Sequence, residues 1–153
     1  VDVDFIANLW QLIISNQHPT AWRAAWMLYH LASDDKELLR SYIPEIMEHI
    51  PQFVHPGQRR EMLKVLMLFD MRELDMGKLL IIAYDLLLTS DESLANKVHS
   101  MQIIYDISQQ EVELKEELKT TIEFMLPQAT IGFKSRGNKL LKKLNKEIQA
   151  MNK

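Results

Sequence analysis

The chain has 153 residues, 47% hydrophobic and 25% charged, with a net charge of −3 and no Cys. This length suits one domain that buries its own core, so residues 1–153 are expected to form a single domain. The missing thiols exclude disulfide frameworks, thiolate zinc sites and cysteine nucleophiles, and they suit a reducing, cytoplasmic compartment.

Apolar positions recur at three- and four-residue spacing almost throughout, with no stretch of strict alternation, which predicts eight helices. Val1-Asp2-Val3-Asp4 has neither the basic start of a signal peptide nor an initiator Met, so the chain reads as trimmed or processed. The first helix is predicted over about Asp4 to Ser15, with Trp10 in an apolar cluster of Phe5, Ile6, Leu9, Leu12 and Ile13. The second follows Pro19, which fits a first helical turn because its absent N–H would have no partner there. The third runs from about Asp35 to Ile50, with Pro44 bending or breaking it. The fourth covers about Pro56 to Met71 and the fifth Leu74 to Leu88. The longest apolar run, Leu79 to Leu88, is interrupted by Tyr84 and Asp85 and falls short of the roughly eighteen residues of a membrane span. Thr89-Ser90-Asp91 closes that helix and is expected to cap the sixth, about Glu92 to Ile107. The seventh covers Val112 to Met125, and the eighth runs from near Lys134 to Ile148.

Short connections make consecutive helices antiparallel neighbours, giving four hairpins. Their second members align. Ala25, Leu28, Tyr29 and Ala32 form an i, i+3, i+4, i+7 stripe, matched by Met62, Val65, Leu66 and Phe69 and by Ser100, Ile103, Ile104 and Ile107. The eighth helix supplies Leu140, Leu141, Leu144 and Ile148 in looser register. His18-Pro19 and His55-Pro56 stand 37 residues apart, each ahead of a basic residue and an apolar run. A repeat of this size points to stacked helical units, none of which can bury its apolar face alone.

Trp22-Arg23-Ala24-Ala25-Trp26-Met27-Leu28 resembles the second helix of a HEAT repeat, where a basic residue precedes a small, alanine-rich helix. Leu38-Leu39-Arg40-Ser41-Tyr42-Ile43-Pro44-Glu45-Ile46 resembles a HEAT first helix with its proline bend. The resemblance spans most of the chain. It implies an all-α, right-handed α-α superhelix (a HEAT-like solenoid) of about four antiparallel helical hairpins, in a short bacterial-type member. The Asp that often precedes the basic residue in that family is absent from Pro19 to Ala21 and from Pro56 to Gln58, so an Asp–Arg ladder is not implied.

The candidate binding residues are basic and aromatic. Arg23 and Arg60 align at 37, Arg59 adjoins, and Lys97 lies a further 37 along but one residue, about 100°, off the apolar register. Arg136 or Lys139 would supply the fourth rung. Such a column could grip phosphates or an acidic peptide, or could brace helix ends. Trp22 and Trp26, one turn apart, could stack on bases or anchor a partner, or could fill space between the first and third helices.

Glu45 and His49 share a helix face, but neither His-Glu-x-x-His nor paired Glu-x-x-His motifs occur, so no metal or cofactor is expected. Glu111, Glu113, Glu116 and Glu117 suit the positive end of the seventh helix. From Ile131 to Lys153 seven basic residues meet one acid, Glu147; this local +6 leaves −9 on the preceding 130 residues. That basic, amphipathic segment could lie on an anionic membrane, enter a partner's groove, or close the solenoid as its last helix. The leading expectation is a non-catalytic scaffold holding a protein or peptide on its inner face. The alternative, implied by likeness to HEAT-like bacterial glycosylases acting on alkylated DNA bases, is nucleic-acid binding. An enzyme with a dispersed site is the third, and the oligomeric state stays open.

Overall fold

The computed structural model describes residues 2–153, which contain helices, turns and loops but no strand. The helices are α1 (Val3–Ile14), α2 (Thr20–Asp34), α3 (Ile43–His49), α4 (Pro56–Leu66), α5 (Met76–Leu88), α6 (Leu94–Ser108), α7 (Leu114–Met125) and α8 (Ile131–Met151). Tighter 3-10 turns cover Lys36–Tyr42, Ile50–Gln52, Met71–Glu73 and Leu126–Gln128. The all-α, helical-repeat class expected from the periodicity is observed. Among the described residues no helix is long and apolar enough to cross a membrane. The chain divides into two compact units, Val1–Ile82 and Ala83–Lys153.

In the first unit α2 packs on α1 and on α4. Ala21, Ala24, Ala25, Leu28 and Ala32 form its buried stripe, and the small residues let both neighbours approach closely. Met62, Val65 and Leu66 of α4 and Ile6, Leu9, Trp10 and Ile13 of α1 join it in the core, with Leu39, Ile46, Ile50 and Phe53 among those around them. Each large apolar side chain so buried contributes about 1.5–3 kcal/mol. Trp10 meets Tyr42 and His49 edge-on, at centroid distances of 6.0 and 5.4 Å.

The third predicted helix is broken as its proline suggested: Pro44 sits in the first turn of α3, after the 3-10 turn that Asp35 caps. The fourth ends earlier than predicted, at Leu66 instead of Met71. Asp70 and Glu73 form a reciprocal capping box that starts a new turn there, and Arg72 holds Asp70 at 2.7 Å.

In the second unit α6, α7 and α8 pack against one another. Ser100, Ile103, Ile104 and Ile107 are all buried, as the repeat alignment predicts. The cap of α6 is Ser93, whose Oγ accepts the Asn96 N–H at 3.2 Å. Thr89, expected as a cap, instead donates back to the Asp85 carbonyl of α5 at 2.5 Å. Thr130 caps α8, which is longer at both ends than its apolar pattern indicated. Gly137 faces α7, where an added Cβ would lie 3.3 Å from Ile122 and 3.2 Å from Leu126 in the turn that follows it.

Glu147, the one acid of the basic tail, holds α8 in place. It accepts from the Tyr105 hydroxyl, from Gln109 Nε2 at 2.8 Å and from the buried Lys115 Nζ at 2.5 Å. Burial opposes its charge, but the hydrogen bonds from Lys115, Tyr105 and Gln109 outweigh that and hold the carboxyl below its ordinary pKa. Burial and the adjacent carboxylate push the Tyr105 phenol up to about 12.

Candidate functional site

The two His-Pro segments come together in space. The imidazoles of His18 and His55 stack with centroids 4.0 Å apart and planes inclined by 15°. His55 is the N-cap of α4: its Nδ1 accepts the Gly57 N–H at 3.0 Å, while its backbone N–H donates to Gln58 Oε1 at 3.3 Å. Gln58 is fully buried, and its Nε2 donates to the Ile13 carbonyl at 3.0 Å and to Asn16 Oδ1 at 3.1 Å. Asn16 turns the chain after α1 with a left-handed φ of 57° and also accepts the Val54 N–H at 3.3 Å. One polar network therefore joins the end of α1 to the start of α4. Sequence reasoning placed both histidines at helix starts but had no signal that they would meet, because pairing across 37 residues depends on tertiary packing.

Trp22 lies over this junction. The Cβ position of Gly57 is 2.5 Å from its Cδ1 and 2.8 Å from its Nε1, so the bare glycine backbone is what admits the indole. The indole N–H is buried with no hydrogen-bond acceptor among the described residues. Trp22 thus packs on the start of α4, whereas the packing alternative named the space between the first and third helices. Trp26 departs further from that packing alternative. It is 48% exposed, with its ring 4.2 Å from that of His30.

Arg23 is exposed and makes no side-chain hydrogen bond or ion pair among the described residues. Arg59 Nη1 donates to the Phe53 carbonyl at 2.5 Å, fixing the loop before α4. Arg60 stands 3.6 Å from Glu61, a buried carboxylate that Lys64 also holds at 3.2 Å. Lys64 in turn sits 4.0 Å above the Tyr29 ring, joining α4 to α2. Arg59 and Arg60 therefore brace local structure, whereas Arg23 faces solvent. In the second unit Lys97 donates to the Ser90 carbonyl at 3.3 Å, and Arg136 and Lys139 are exposed on α8.

Arg23, Trp26, Met27 and His30 make one solvent-facing i, i+3, i+4, i+7 stripe along α2, opposite its alanine stripe. Within the second unit an open groove of about 500 Å³ is lined by Leu87, Leu94, Phe124, Phe133 and Lys97. His49 is committed to the Glu45 carbonyl at 2.9 Å and to Trp10, and no three potential ligands gather for a metal among the described residues.

A family model described as a HEAT repeat domain matches residues 2–144. No curated protein and no solved structure matches the chain. The family match extends over nearly the whole length, through both units and the aligned stripes of α2, α4 and α6, and the chain belongs to the HEAT repeat domain family.

Proposed function

We propose that the chain is a non-catalytic interaction module that holds a protein or peptide partner, with the exposed face of α2 in the first unit as its contact surface. HEAT repeats are commonly protein-interaction scaffolds. The observation that carries this reading is the α2 stripe. Trp26 and Met27 are 48% and 40% exposed, lie side by side and are flanked by Arg23 and His30. Neighbouring large apolar side chains held in water by a rigid helix, with a cation at one end, suit an acidic segment carrying an apolar anchor.

Selection of a displayed random-peptide library on the intact chain tests this. Acidic peptides with one aromatic or long aliphatic residue should be enriched, and Trp26→Ala should weaken them about thirtyfold, as for an interface hot spot. Enriched peptides that bind Trp26→Ala equally well, or no enrichment, would remove the proposal.

A further inference from the structure

His55 performs its capping role in only one protonation state. Because Nδ1 accepts the Gly57 N–H, the proton of the neutral ring resides on Nε2. A second proton must enter at Nδ1, where it would turn the acceptor into a donor facing another donor. Among the described residues no acidic group acts on His55 to favour that proton. The segment before α2 contributes His18, stacked at 4.0 Å, and α4 contributes Arg59 and Arg60. The other neighbours, Asn16 after α1, Trp22 on α2 and Gln58 on α4, are uncharged. Burial, then His18, Arg59 and Arg60, hold the His55 pKa below its ordinary value.

We propose that His55 is a proton-operated latch on α4. In its neutral form it caps the helix, and its protonation frees the Gly57 N–H and loosens the first turn of α4 from Trp22. That turn carries Arg59, so the loop held through the Phe53 carbonyl is released with it. The sign follows from the direction of the shift. The unfolded chain takes up the proton first, so the cap's contribution is complete above the ordinary histidine pKa of about 6.5. It is lost as pH falls below that value towards the depressed folded one. The latch is a property of the chain alone and does not depend on the proposed partner.

Amide hydrogen exchange of the whole chain, resolved by residue and corrected for intrinsic rates, reads the latch directly. Protection at Gly57 should fall about fivefold from pH 7 to pH 5, the size of an ordinary N-cap contribution. Amides in the middle of α6 should not change with it. His55→Asn supplies a neutral cap acceptor and should show equal protection at both pH values. His18→Asn should keep the response and move its midpoint to higher pH, one of the three opposing charges having gone. Three results would each overturn the latch. They are constant Gly57 protection in the natural chain, an unchanged pH response in His55→Asn, and loss of the response in His18→Asn.

Discussion

At the level of single residues, two glycines in helical first turns should respond oppositely to the same substitution. An added Cβ at Gly57 would stand 2.5 Å from Trp22 and 2.9 Å from His55 Nδ1, so Gly57→Ala must displace the indole or the cap. Overpacking of this kind costs about 1–3 kcal/mol, more than the helical gain of about 1 kcal/mol from replacing Gly by Ala. At Gly77 the same Cβ meets only Asp75 Oδ1 at 3.7 Å, so Gly77→Ala should stabilise by about 0.5–1 kcal/mol. Urea denaturation of both variants checks this, and a stabilised Gly57→Ala would contradict the close packing of Trp22. Little at this scale was legible in advance. The spacing of Trp22 and Trp26 said they were one turn apart, but not that one would meet Gly57 and the other water. That difference depends on which side of α2 receives α4.

At the level of elements, the attachment of α8 concentrates on Glu147. The Lys115 side chain is 5% exposed and its partner's 28%, so removing the carboxylate strands the more deeply buried charge. Glu147→Gln should therefore cost more than Lys115→Met, about 2–4 kcal/mol against a smaller loss, by the cost of breaking a buried pair. Because the folded pKa of Glu147 is lowered, its contribution is complete above the ordinary glutamate value. It disappears as pH falls through the folded one. Chemical denaturation at pH 7 and pH 3 should show a difference between natural chain and Glu147→Gln that shrinks in acid. A difference that persists would mean the carboxylate's charge is not what matters.

Helix existence was readable from apolar periodicity, and the aligned stripes are buried except for the half-buried Tyr29 of α2, with Phe69 buried just past the end of α4. Helix ends were less readable. Thr89-Ser90-Asp91 offered three capping side chains, yet Ser93 is the one that caps α6. Asp70 stops α4 early because a second capping box begins there. Competing caps differ by about 1 kcal/mol, which tertiary packing readily overrides.

On the scale of the whole molecule, charge argues between the two ligand classes. The 130 residues before Ile131 carry a net −9, and the basic residues meant to grip phosphates are partly committed: Arg59 to a carbonyl, Arg60 beside Glu61, Lys97 to a carbonyl. Phosphate-driven binding is strongest at low ionic strength, where counterion release favours it most. A duplex-retention assay at about 20 mM salt should accordingly show no salt-dependent binding. Retention that weakens steeply with salt and is lost in Arg23→Ala would favour nucleic acid over peptide. The repeat architecture was legible at this scale because it rests on patterns summed over many residues. The ligand was not, because the discriminating features are the hydrogen-bond partners of individual arginines.

The junction of α1 and α4 also sets terms for the evolution of this chain. Position 16 must accept a left-handed backbone and present an oxygen to both Gln58 and the Val54 N–H. Glycine meets the first demand and alanine neither, which leaves asparagine and aspartate as the fitting side chains. Gln58 in turn is fully satisfied only while that oxygen exists, since half the donors of this buried amide would otherwise be stranded. Positions 16 and 58, 42 residues apart, should therefore drift as a pair: lineages that abandon the glutamine become free to place glycine at the turn, and those that retain it do not.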